Sequence, residues 1–307
     1  MAANLFTFNS KVTMKISKLF IYVIVVIVGV AIIDVLFRLI FTPFFDNPPI
    51  NTKAGATYKF VSCKEPADII ILGASRANHH YRSTQIEDSL GVKVFNYGWD
   101  GRCILYQYLC LLKGIENGGL KTVILDLSEA QLCKEWVDER ISDLYPYYWK
   151  NDTVKMMVDE VEKKNMCILM MSSLIQYNSQ YLNMVAPVVS TKGYTPLPYT
   201  GKPVIFSTNK TKNKTDYYSD IAIKYLYRMS TVCKNRNIKF IVCLSPSLST
   251  SKYSESYLSS LCSNNGIIYI NMTHNIVDPL LFSDDSHLND KGATKFTNNF
   301  IKELSLI

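Results

Sequence analysis

Charge is scarce in this sequence. Asp, Glu, Lys and Arg make up 19% of 307 residues, below the roughly one quarter usual in soluble domains, which argues against a disordered or coiled-coil chain. Glycine (13) and proline (11) are also few, which excludes a collagen-like or low-complexity polymer. No Cys-x-x-Cys pair occurs among the eight cysteines, so nothing supports a zinc ribbon or a thioredoxin-like motif, and no metal or cofactor is expected. The net charge of +7 is mild, and Lys11, Lys15 and Lys18 supply three of those charges. The dense basic stripe of a nucleic-acid binder is missing, and no nucleic-acid partner is expected. No internal repeat and no long low-complexity tract is present.

What the chain has is apolar residues, 48% of the total, enough for one large domain with an accessory segment. Leu19 to Ile33 carries no charge, and the apolar stretch runs on to Phe45, broken by Asp34, Arg38 and a few small residues. About 20 mostly apolar residues cross a hydrocarbon core of about 30 Å. Asp34 and Arg38 lie four apart and are expected to pair on one helix face near the membrane exit. Pro43, Pro48 and Pro49 are expected to end the helix. A cleaved signal peptide is the competing reading; the apolar region is long for one, and Val35, Leu36 and Phe37 fill the cleavage zone. An uncleaved signal anchor is favoured, with residues 1–18 cytoplasmic by the positive-inside rule, 19–42 in the membrane, 43–66 a linker, and the remainder extracytoplasmic, periplasmic or at the cell surface.

Residues 67–307 alternate short apolar runs with helical patterns. Asp68–Leu72, Lys93–Tyr97, Thr122–Leu127, Lys239–Leu244 and Ile267–Asn271 read as strands. Ser83–Leu90, Leu105–Glu116, Asp216–Asn235, Lys252–Asn264 and Lys291–Leu304 read as crossover helices. Continuous apolar strands separated by helices predict a parallel sheet covered on both faces, a doubly wound α/β layout. Residues 129–214 break the alternation and read as an insertion with helix near Asp152–Leu169, suited to a lid or substrate wall. Lys202, Lys210, Lys212 and Lys214 form a basic loop there, either simply solvated or a docking place for an acidic glycan. An extracytoplasmic domain can form disulfides, but one of this size does not need them, and their pairing is not readable. Cys243 reads as a small buried hydrophobe.

Ligands of open α/β sheets sit at the carboxyl ends of the strands. Three segments follow strands there: Gly73-Ala74-Ser75-Arg76, Asn96-Tyr97-Gly98-Trp99-Asp100-Gly101, and Phe282 to Asn289. Ser75, just past a strand and a glycine, has the setting of a nucleophile and needs a base. His287 can be that base, with Asp284 three residues earlier orienting it through Nδ1 and Asp285 as the alternative orienter. Asn289 or Asp290 reads as the N-cap of the last helix. The backbone N–H groups of Ser75 and Gly98 are candidate oxyanion donors. His79 and His80 are adjacent and lack a metal-ligating companion; His274 has no sequence neighbour to partner it, and it is expected to be structural.

Taken together, these blocks resemble the SGNH/GDSL hydrolase superfamily from about Asp68 to the C-terminus. Gly73-Ala74-Ser75 is similar to the first block, Gly98 to the glycine of the second, and Asp284-x-x-His287 to the last. ILGASRANHHY and FSDDSHLNDKGATKF resemble a membrane-anchored branch of bacterial envelopes related to polysaccharide O-acetylation. The resemblance implies a flavodoxin-like three-layer α/β/α fold and a Ser–His–Asp esterase or acyltransferase. One departure stands out: the third block's Gly-x-Asn-Asp is replaced by Asp126-Leu127-Ser128-Glu129. Asn78 is a substitute donor, and Arg76 serves either to anchor the loop or to meet an anionic substrate group. The expected function is acyl or acetyl hydrolysis on an extracytoplasmic glycan or acylated small substrate. The alternatives are transfer through the same triad, or a non-catalytic envelope protein that binds glycan or a membrane O-acyltransferase.

Overall fold

The computed structural model describes residues 3–181, 184–204 and 218–306, with side chains from Lys18 onward except that of Ser179. Helix α1 (Ala3–Asp46) carries a 29-residue stretch, Lys18–Asp46, long and apolar enough to cross a membrane. It continues through Pro43, which the sequence reading expected as a stop. A proline removes one N–H, but the chain around it stays helical, and the next two prolines, Pro48 and Pro49, lie beyond the helix end. Two short helices follow, α2 (Lys53–Thr57) and α3 (Lys59–Ser62).

The segment expected as a linker is part of the domain. Phe45, Ala54, Tyr58 and Phe60 are buried in the larger apolar core. Phe45 stacks on Tyr177 at 4.6 Å between ring centroids, and Phe37 and Phe41 meet Tyr181 at 4.8 and 5.2 Å. Aromatic spacing on one face of α1 therefore fastens its last turns to the domain.

The alternating part follows as β1 (Ile69–Gly73), α4 (Ser75–His80), α5 (Ser83–Leu90), β2 (Val94–Asn96), α6 (Ile104–Asn117) and β3 (Thr122–Asp126). The insertion contributes α7 (Lys134–Arg140), α8 (Asp152–Glu162), α9 (Cys167–Met170) and α10 (Ser173–Tyr177). The chain closes with α11 (Asp220–Lys234), β4 (Lys239–Leu244), α12 (Lys252–Ser263), β5 (Ile268–Asn271) and α13 (Asp290–Leu304). All four strand pairings are parallel, in the order β2-β1-β3-β4-β5. Both faces are covered, as continuous apolar strands require. Ile70, Leu72, Val123, Leu125 and Val242 point into one core, and Ile69, Ile71, Ile124, Ile241 and Cys243 into the other. Cys243 is fully buried there. The expected α/β sandwich is thus present, with the strand order reversing beside β1, where such folds place ligands. Lys210, Lys212 and Lys214 lie outside the described residues.

Candidate active site

Register sets the rim. Gly73 pairs with Asp126, and Asp126 with Cys243, so β1, β3 and β4 end level with one another. Gly73 has φ +142°, and a Cβ there would stand 2.7 Å from both the Ala77 side chain and the Asp126 carbonyl. Only glycine lets the strand turn this close to its neighbour. Gln107, buried in the first turn of α6, accepts from Gly73 N–H at 2.9 Å and donates to Gly73 C=O at 2.7 Å. That clamp delivers Ser75 as the first residue of α4.

Ser75 meets His287 across the rim, with Oγ 2.6 Å from Nε2. His287 Nδ1 lies 2.8 and 2.9 Å from the two oxygens of Asp284. The same carboxylate accepts from the backbone N–H of Ser286 at 2.8 Å and of His287 at 2.9 Å. Partial burial pushes the Asp284 carboxyl up, but the bonds from His287 and the two amides outweigh it and hold it below the usual carboxylate range. With the carboxylate ionised, Nδ1–H donates to Asp284 and Nε2 accepts from Ser75. Asp285 faces elsewhere: its carbonyl accepts from Leu248 N–H and its carboxylate from Ser286 Oγ. Ser283 N–H donates to His287 C=O at 2.8 Å, and an isolated bridge between Phe282 and Leu288 closes the loop. Asn289 is the N-cap of α13, accepting from Gly292 N–H at 3.1 Å.

His80 supports this loop from below. It is fully buried; its Nε2 accepts from Leu288 N–H at 3.0 Å and its Nδ1 lies 2.9 Å from Ser245 Oγ. Burial, then the nearby Arg76, His287 and His79 charges, push its pKa well below the ordinary histidine value. His79 pairs with Asp100 at 3.1 Å and touches Thr195 C=O through Nδ1. Burial lowers its pKa, but Asp100 and the Thr195 carbonyl outweigh that and raise it. His274, expected to lack a partner, lies 3.3 Å from Glu255, which the fold brings from α12.

The other expected site residues are placed differently. Gly98 packs beneath α4, where a Cβ would stand 2.6 Å from the Ala77 side chain, and its N–H donates to Asn96 Oδ1 at 2.8 Å. Asn78 is fully buried, and its amide donates to Asp100 at 2.9 Å. Both groups are engaged in local pairings that a motif cannot reveal. Arg76 is nearly buried, lying 3.4 Å from the fully buried Asp126 through Nε and donating to Ser245 C=O. Its loop-anchoring role is therefore directly supported by contacts.

A cleft of about 340 Å³ opens over Ser75 and His287. Arg76, Glu129, Gln131 and Trp136 line it, with hydroxyls from Ser128, Ser247, Ser249, Thr250, Ser254 and Ser286. Gln131 is the one side-chain amide on this lining among the described residues, and its Nε2 donates to Asp126 C=O at 3.1 Å. A hollow of about 510 Å³ on α11 contains none of the candidate residues.

Sequence reading missed Gln107 and Lys59 and gave His80 no role. Gln107 and Lys59 left the same signal, a polar residue inside an apolar stretch, whereas His80 lies in a polar run and left none. Lys59 is 4% exposed and donates to the carbonyls of Asn96, Gly98 and Gly193 at 3.1, 2.6 and 3.0 Å, tying the Gly98 turn to the insertion.

No protein-family model matches the chain, and no curated protein does. Solved structures do match. An acetyl xylan esterase is 11% identical with a TM-score of 0.40, covering 78% of this chain and 99% of its own. A GDSL-like lipase from Bacteroides thetaiotaomicron VPI-5482 is 11% identical with a TM-score of 0.36, covering 77% of this chain and 88% of its own.

Proposed function

We infer that the chain is a membrane-anchored serine ester hydrolase whose triad is Ser75, His287 and Asp284. The observation that carries this reading is the unbroken chain of contacts from Ser75 Oγ to His287 Nε2 and from Nδ1 to Asp284. His287 takes the hydroxyl proton as Oγ attacks the ester carbonyl, and Asp284 stabilises the resulting imidazolium. As the tetrahedral intermediate collapses, His287 returns the proton to the departing alcohol, leaving acyl-Ser75. Water then attacks with His287 again as base, releasing the acid and restoring Ser75. Transfer differs only in that a sugar hydroxyl replaces this water. The N–H of Ser75, which has no carbonyl four residues back within its helix, is the donor best suited to the oxyanion.

The glycan target is supported by the cleft lining, hydroxyl-rich with one tryptophan. The uncleaved anchor is supported by Asp34, which accepts from Ser172, Ser173 and Leu174, and by Phe37, which packs on Tyr181, contacts with the domain that cleavage after Phe37 would remove. The test is turnover of p-nitrophenyl acetate by the full chain in detergent. Ser75→Ala and His287→Ala are expected to lose at least about a thousandfold in kcat, and a fluorophosphonate probe is expected to label Ser75 only where His287 is intact. Equal turnover by the unmodified chain and Ser75→Ala would overturn the reading.

A further inference from the structure

The outer turns of α1 hold a polar arrangement that an isolated span would not need. Asp34 does not pair with Arg38. Its carboxylate accepts from Ser172 Oγ at 2.7 Å, Ser173 N–H at 3.0 Å and Leu174 N–H at 3.0 Å, and its carbonyl accepts from Ser173 Oγ at 2.5 Å. Arg38 donates to Met171 C=O. Asp34 lies sixteen residues beyond Lys18, about 24 Å along a helix rising 1.5 Å per residue. With Lys18 at one edge of a hydrocarbon slab of about 30 Å, Asp34 is still inside the other. A carboxylate and irregular backbone at that depth must be satisfied by protein, and here they satisfy one another.

The segment that supplies those donors, residues 166–177, contains no charged residue. Met166, Met170 and Tyr177 face the core, and the rest of the segment is inverted relative to a water-facing element. Ser173 and Gln176 are buried, whereas Leu169, Met171, Leu174 and Ile175 are exposed, and Ile168 is 82% exposed. That outward face lies beside α1, to which the segment is bonded at Asp34 and Arg38 and whose own side chains Val35, Leu36, Leu39 and Ile40 are exposed. At its margin Trp149 is half-exposed with its indole N–H on Met170 C=O at 2.8 Å, the placement of an interfacial aromatic.

We propose that residues 166–177 form a second membrane-contacting element, seated with its apolar face among the lipid acyl chains beside α1, so that the domain rests on the bilayer through two elements. The occupant of the patch is lipid because the patch adjoins the span at a depth that lipid fills. The proposal rests on the reading of α1 as a spanning helix, and the test separates the two. Full chains carrying Ile168→Trp, Val25→Trp or Asp88→Trp are reconstituted into phosphatidylcholine vesicles whose acyl chains are brominated near the headgroup end. The emission added by each tryptophan is read against the unmodified chain. Val25 lies exposed within the span, and Asp88 lies exposed on α5, on the opposite layer of the sheet. The expected result is loss of the added emission for Ile168→Trp comparable to that for Val25→Trp, with none for Asp88→Trp. Quenching of Val25→Trp alone means that water or protein covers the patch and overturns the proposal while the span stands. No quenching of Val25→Trp removes the span and the proposal together.

Discussion

His80 accepts Leu288 N–H through one ring nitrogen, so the other carries the proton toward Ser245 and the ring must stay neutral. Its pKa in the folded protein is depressed, while the unfolded chain binds a proton near 6.5. Unfolding therefore takes up a proton as the pH falls below about 6.5, and stability falls with it, by at most about 1.4 kcal/mol per pH unit. His79, raised by Asp100, works the other way: its contribution is present in acid and is lost as pH rises through its folded value. His80→Gln keeps an acceptor for Leu288 without the titration. Urea unfolding at pH 7 and pH 5 is expected to show a smaller acid loss in that variant than in the unmodified chain. Asp284→Asn leaves Ser75 and His287 in place and is expected to cost roughly ten- to a hundredfold less in kcat than Ser75→Ala. The meeting of Ser75, His287 and Asp284 was legible because strand-Gly-x-Ser and Asp-x-x-His place them at predictable ends of elements. The local partners of Gly98 and Asn78 were not legible because their hydrogen bonds to Asn96 and Asp100 depend on a turn whose path no spacing specifies.

The contact between the Gly98 turn and α4 is a tight junction of elements at the site. Adding a Cβ at Gly98 meets Ala77 and the Asn78 backbone within 2.8 Å. Gly98→Ala is expected to cost about 1–3 kcal/mol of stability by urea unfolding. Because α4 begins with Ser75, turnover of p-nitrophenyl acetate is expected to fall as well. All five strands and the five crossover helices were readable within a few residues, since a strand covered on both faces is a short unbroken apolar run. The insertion was readable only in part: the helix expected near Asp152–Leu169 corresponds to α8 and α9, whereas α7 and α10 were not foreseen. Its helices are short, and aromatic partners such as Phe45, Tyr58, Tyr147 and Tyr177 come from three separated stretches. The same packing explains why the stretch after α1 looked like a linker: its burial is against residues about a hundred positions away.

For the molecule as a whole, the fastening of α1 to the domain makes the apolar helix and the domain one unit. Phe45 is fully buried between Tyr58, Tyr147 and Tyr177. Phe45→Ala is expected to destabilise the full chain by about 3–5 kcal/mol, seen as a lowered unfolding midpoint in detergent. No disulfide joins any two of the cysteines among the described residues, and all but Cys167 are buried. Burial holds the thiols of Cys233 and Cys262 up at about 12, so almost no thiolate is present at neutral pH. A maleimide is expected to label Cys167 first and the rest only in denaturant, with the unfolding midpoint unchanged by reductant. A chain stabilised this way is indifferent to the redox state of its surroundings: it needs no oxidase to mature, and a reducing lysate leaves it intact.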